Sequence, residues 1–189
     1  MKCFQLIYDY EKYGNVTCLE TNSMYGINRY DLEKGIRIDN WDSNFTFYYK
    51  NDNSNFIDYQ ANTLTWFIIS EKMRKLIEEM KCKDIQFLPI TIKNENSGEE
   101  RKDYYVVNVF LTLNDVFDFN STQFIGEKPN IGEPLKRVKF YAINEKKIND
   151  FHLFKIQENP SILFISEELK NHFTKNKIKG CDFKKVIMI

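Results

Sequence analysis

Short apolar runs alternate with polar, turn-forming stretches along the whole chain. Cys3 to Tyr8 reads as a short strand. Phe45, Phe47 and Tyr49 alternate with Thr46 and Tyr48, the period-two pattern of a half-buried strand. Tyr104-Tyr105-Val106-Val107-Asn108-Val109-Phe110-Leu111 is the strongest strand signal. Its β-branched and aromatic content predicts a central strand buried on both faces. Val138 to Ile143 and Phe151 to Ile156 read as further strands. Polar, turn-forming stretches at 51–55 and 94–100 and a glycine- and proline-bearing one at 126–134 predict loops.

The pattern repeats once. Phe67-Ile68-Ile69-Ser70-Glu71 resembles Leu163-Phe164-Ile165-Ser166-Glu167, and the register holds without a gap over 67–87 and 163–183. Met73 falls opposite Leu169, Ile77 opposite Phe173, and Phe87 opposite Phe183. Each copy reads as strand, helix, strand. Ser70 and Ser166 supply cap oxygens for the first-turn amides, and Glu71, Glu167 and Glu168 suit the positive end of the helix dipole. Met73, Leu76, Ile77 and Met80 form one apolar face. The equivalent set, Leu169, His172, Phe173 and Asn176, is weaker and predicts a shorter or more exposed second helix. Phe87 to Ile90 and Phe183 to Ile189 then read as returning strands. Two copies are too few for a solenoid. The fold expected is α+β, a mixed or mainly antiparallel sheet with two short Ser-capped helices.

The chain has 189 residues, which fits one domain with enough length to bury a core. Residues 1–60 form an aromatic, turn-rich part and 61–189 carry the repeat. Charge is balanced, with 27 basic and 27 acidic residues. There is thus no global field to attract nucleic acid or an anionic membrane. The lysines at 175, 177, 179, 184 and 185 read as a solvated helix end. The first apolar run is too short for a signal segment, and no stretch approaches a membrane span. A cytoplasmic protein is expected, with Cys3, Cys18, Cys82 and Cys181 as free thiols.

Chemistry is sparse. There is no phosphate-binding glycine loop, no nucleophile elbow and no metalloprotease pair. No C-x-x-C occurs, so neither a metal site nor a cofactor is expected. Asp115 and Asp118 are the best carboxylate pair. They read as turn-shaping residues, with a hydrolase-like site built around them as the alternative. His172 reads as a packed or partly exposed structural residue and His152 as a surface or edge residue. A small-ligand-binding regulatory module is a further alternative. Aromatics make up 15% of the chain. Trp41, Tyr48, Tyr49 and Tyr59, in the least regular third, are candidate contacts to another protein, because such side chains carry most interface energy.

Three segments carry a family resemblance: Trp66-Phe67-Ile68-Ile69-Ser70-Glu71-Lys72-Met73, then Ile85-Gln86-Phe87-Leu88-Pro89-Ile90, then Tyr104 to Val109. Asp115 and Asp118 before Ser121, then Phe154-Lys155-Ile156, Leu163-Phe164-Ile165-Ser166-Glu167-Glu168-Leu169-Lys170 and Gly180-Cys181-Asp182-Phe183 continue it. Over roughly residues 60–185 the chain resembles family eleven of the bacterial polymorphic-toxin immunity proteins, formerly a domain of unknown function. The resemblance implies a non-enzymatic cytoplasmic protein that neutralises a toxin encoded beside it. It implies no catalytic residues. The loops around 94–103 and 126–134 join the aromatic first sixty residues as surfaces for that contact.

Overall fold

A computed structural model describes residues 2–14, 17–50 and 55–189. The loop expected at 51–55 therefore lies outside the described residues except for Asn55. The elements run β1 (Cys3–Tyr8), α1 (Tyr10–Tyr13), α2 (Arg29–Lys34), β2 (Thr46–Tyr49), β3 (Tyr59–Gln60), β4 (Ile68–Ser70), α3 (Glu71–Glu79), β5 (Ile85–Asn94), β6 (Glu100–Val109) and β7 (Thr112–Leu113). They continue with β8 (Gln123–Phe124), β9 (Val138–Phe140), β10 (Ala142–Ile143), a 3-10 turn (Glu145–Lys147), β11 (Leu153–Ile156), β12 (Asn159–Ser166), α4 (Glu167–Lys175), β13 (Cys181–Lys185) and β14 (Ile187–Met188). The class is α+β, with mixed sheets and few short helices.

Two five-stranded sheets organise the molecule. The first runs β2-β5-β6-β4-β3 and the second β13-β1-β12-β11-β7. In the first, β4 and β5 both pair antiparallel with β6, so they run parallel to each other with α3 as their crossover. In the second, β12 and β13 both pair antiparallel with β1, and α4 makes the same crossover. The repeat seen in the sequence is thus a repeated split strand–helix–strand unit. The strand filling each split comes from a different place: β6 follows its unit, whereas β1 is the start of the chain.

The equivalence reaches beyond the matched residues. β3 lies against β4 as β11 lies against β12, with Tyr59 opposite Ile69 and Leu153 opposite Ile165. The Ser70 amide donates to the Asp58 carbonyl at 2.8 Å, and the Ser166 amide to the His152 carbonyl at 3.0 Å. Each serine then accepts from the amide three residues on, Met73 at 3.3 Å and Leu169 at 3.1 Å. The turns after the helices match too, with positive φ at Lys81 and Asp84 in one copy and at Lys177 and Gly180 in the other. The weaker apolar face predicts a shorter or more exposed second helix: the two are of equal length, but α4 buries only Leu169 and Phe173 where α3 buries Met73, Leu76 and Ile77. His172 meets Glu79 of α3 at 2.8 Å and the Asn176 amide caps the His172 carbonyl at 3.0 Å, so polar contacts complete what Leu169 and Phe173 begin.

Alternation places the cores. Ile68, Leu88, Ile90, Val106 and Tyr104 face an outer core closed by the aromatic residues of 19–66. Phe154, Ile156 and Phe164 face a second outer core closed by 113–151 and the chain end. Ile69, Val107 and Val109 from the first sheet meet Leu6, Leu153 and Ile165 from the second in a central core that also takes Met73, Ile77, Leu169 and Phe173 of the helices. β6 is central and buried on both faces along Val106–Val109, as its composition predicts. β2 alternates as expected, with Phe45, Phe47 and Tyr49 inward. The apolar run 138–143 breaks at Tyr141: β9 pairs with β8, while β10 pairs parallel with β14.

Ser70→Ala tests the cap. The change is expected to cost about 1 kcal/mol, read as a shift in urea midpoint at constant slope. It removes the oxygen that accepts the Met73 amide and donates to Asp58 at 2.7 Å. Asp58 keeps the Lys179 amide at 2.9 Å, which limits the loss. No measurable shift would show that the hydroxyl contributes nothing.

Candidate interaction surface

A cleft of about 220 Å³ opens where the two sheets meet. One wall is β1 from Gln5 to Tyr8. Another is the β3–β4 hairpin from Tyr59 to Phe67, and β12 and the end of α2 close the rest. Four rings step from the central core to the mouth of this cleft. Phe67 meets Tyr59 at 4.9 Å, Tyr59 meets Tyr8 at 5.5 Å, and Tyr8 meets Tyr10 at 4.7 Å, all edge-on, the geometry that ring quadrupoles favour. Burial pushes the Tyr8 phenol up to about 12, and that of Tyr59 higher still, so both stay neutral hydrogen-bonding groups. The Tyr8 hydroxyl donates to the Tyr13 carbonyl at 2.9 Å, which fixes α1 and with it Tyr10. Tyr10 itself is 71% exposed.

The opposite side of the cleft holds a buried cation. Lys155 projects from β11 and is only 4% exposed. Its Nζ donates to the Leu32 carbonyl at 2.5 Å and the Glu33 carbonyl at 2.9 Å. These are last-turn carbonyls of α2, at the negative end of the helix dipole; that of Leu32 also accepts the Gly35 amide at 3.3 Å. Burial lowers the amine to about 8, partly opposed by the Glu33 charge. α2 is itself held from its exit. Gly35 has φ +69, and a Cβ there would stand 3.1 Å from the Phe110 Cα and the Val109 carbonyl. Asn108 and Gln86 clamp the next residues: Asn108 donates to the Ile36 carbonyl at 2.7 Å, and Gln86 exchanges two bonds with the Ile38 backbone.

The four aromatics singled out from the sequence do not form one patch. Trp41 stacks on Phe45 at 4.7 Å, and its Nε1 donates to the Pro89 carbonyl at 2.8 Å, with one edge left outward. Tyr49 is buried in the same outer core. Tyr48 is half-buried on β2, where its backbone exchanges bonds with Glu20. Tyr59 belongs to the ring series at the cleft. The residues that sequence reasoning missed are Tyr10 and Lys155. A lysine between Phe154 and Ile156 in an apolar run was the available signal, since lysine is almost never fully buried without a partner.

The remaining chemistry-bearing residues have structural employment. Asp115 is exposed at φ +57, and its carbonyl accepts from Lys147 Nζ at 2.7 Å. Asp118 accepts the Ser121 amide at 2.6 Å, which closes a non-helical turn and lowers its carboxyl below the ordinary value. His152 is not a free surface residue: its Nδ1 lies 2.8 Å from the fully buried Ser166 hydroxyl. Burial raises the Cys3 thiol to about 12 and Cys82 to about 11, the reverse of thiolate activation. Among the described residues no three His, Cys, Asp or Glu side chains converge as a metal site, and no helix is long and apolar enough to cross a membrane. The loops at 95–99 and 126–134 are largely exposed, with Ile131 82% open to solvent.

No curated protein matches the chain. A family model described as "Immunity protein family (Imm11)" matches residues 4–187. The match takes in the aromatic first sixty residues, beyond the stretch that carries the sequence resemblance. That layer closes the outer core of the first sheet and is as much part of the fold as the repeat.

Proposed function

The chain belongs to the immunity protein family Imm11, and from that membership we propose that it binds a cognate bacterial toxin and neutralises it without catalysing a reaction. The toxin would be encoded beside it and met in the cytoplasm of the producing cell. The observation that carries this reading is a family match over nearly the whole chain. The side-chain chemistry agrees with it: the serines cap helices, the Asp118 carboxylate closes a turn and burial holds the thiols neutral.

The contact would centre on the cleft mouth, with Tyr10 as anchor and the outward edges of Trp41 and Tyr48 as flanking contacts. Tyr49 and Tyr59 would act from beneath, by shaping the layers that present these edges. Tyr10 has the properties of an interface hot spot: a large ring, an ordered base on Tyr8, and full access from solvent. Occlusion of the toxin at this surface needs about 800 Å² on each partner.

Co-expression with the neighbouring gene product tests the reading. A stable complex that relieves that product's toxicity is the expected result; neither complex nor protection would sink it. Within the complex, Tyr10→Ala is expected to weaken toxin binding about tenfold or more while leaving the melting temperature unchanged, because the ring is mostly in solvent. Unchanged affinity would move the interface elsewhere.

A further inference from the structure

We propose that the cleft between the two sheets receives a single acidic side chain of the toxin, an Asp or Glu whose carboxylate pairs with Lys155. The proposal rests on the immunity reading and names the chemistry of the contact.

The buried charge comes first. Lys155 is held by two backbone carbonyls, and among the described residues no carboxylate lies within ion-pair distance of its amine. Glu33 acts on it only through space. Glu33 also lines the cleft, but a buried ammonium with no carboxylate in contact is still costly. An ammonium has three N–H donors; the two carbonyls take two and orient the group, and one remains for an entering acceptor. The carbonyls belong to the end of α2, so the amine is positioned by a rigid element rather than by a loop.

Size then selects the occupant. The cleft, at about 220 Å³, is smaller than the roughly 300–1,000 Å³ of sites that enclose whole small ligands. One side chain fits that space. The lining agrees with an Asp or Glu entering carboxylate first, its stem along an apolar wall: Leu6, Phe67 and Leu163 lie to the side, and Gln5 offers an amide. Tyr10 stands at the mouth, where it would cover the stem and exclude water from the ion pair. Removal of water is what makes such a pair strong.

The test uses the wild-type chain with N-acetyl-L-glutamate as probe, and N-acetyl-L-glutamine as its uncharged match. The Lys155 side-chain amine is followed by NMR, its signal assigned by its loss in Lys155→Met. The glutamate derivative is expected to give a saturable shift and to raise the titration midpoint of that amine; the glutamine derivative should do neither. No response, or equal responses, would overturn the proposal. In the toxin complex, Lys155→Met should lose affinity about thirtyfold or more, as truncation of one partner of a buried charge pair does. Undiminished binding by a folded Lys155→Met chain would overturn the acidic anchor and leave the immunity reading standing. Failure of the wild-type chain to bind any toxin would take both down together.

Discussion

Replacing Gly180 by alanine is expected to cost about 2–6 kcal/mol of folding stability, combining backbone strain with overpacking. Asp84→Ala, at the equivalent position of the other repeat, should cost less than about 1 kcal/mol. The contrast follows from what each turn touches. Gly180 has φ +94, outside the left-handed region that other residues tolerate. A Cβ there would sit 2.5 Å from the Tyr59 carbonyl and 2.9 Å from Ile57 Cδ1. The carbonyl cannot retreat cheaply. The Tyr59 amide donates to the Lys179 carbonyl at 2.9 Å, and the Gly180 carbonyl accepts from Asp9 at 3.0 Å, so the turn is fixed on both sides. This is the seam where the edge strand of the first sheet meets the second, and it lies beside the cleft. Asp84 has φ +54 and is exposed. In a chain of this size the Gly180 change should lower the melting temperature by about 5–20 °C. Equal effects at the two positions would show that the seam bears no strain.

That contrast also marks how far the sequence could be read. Register within the repeat was legible, because Ser caps, glutamates in the first turn and apolar residues at helical spacing each report a local requirement. The central place of β6 was legible for the same reason: Val106 to Val109 are apolar apart from Asn108, and only a strand covered on both faces wants that. Asn108 itself is a clamp on a segment some seventy residues upstream, which no local pattern announces. α2 carried signals that were overlooked, with Asn28 as cap, Asp31 in the first turn and Gly35 at its end. The break at Tyr141 depends on which sheet edge each half of the run can reach, and that is a tertiary matter.

The cleft was hidden for a related reason. Its walls come from β1, α2, the β3–β4 hairpin, β11 and β12, each unremarkable alone. Aromatic residues in the first third pointed to an interface by type, but type does not fix direction. Tyr49 follows the inward parity of β2, and Tyr59 pairs with Ile69 and turns toward the helices. Tyr10 was passed over because it follows a strand and begins a helix of a single turn, where periodicity says nothing about exposure.

Phe173→Ala is expected to cost about 3–5 kcal/mol, and its spectroscopic signature bears on how the two repeats fold. Phe173 is 1% exposed. It shares the central core with Leu169 of its own helix and with Met73, Ile77 and Val107 of the other half. Because this core draws on both sheets, we propose that the two halves unfold as one cooperative domain. The chain carries its own reporter: both tryptophans, Trp41 and Trp66, sit in the outer core of the first sheet, on the side to which Phe173 does not belong. If the halves are coupled, tryptophan fluorescence and far-ultraviolet circular dichroism should move together to a lower urea midpoint in Phe173→Ala. If they are separate units, fluorescence should keep its wild-type midpoint while the dichroism splits into two steps. Ile77→Ala, at the matching position of α3, should then reproduce the single shifted transition from the other side. If the two repeats unfold as one, neither has independent stability to lose, and a change in either should be felt at the cleft between them.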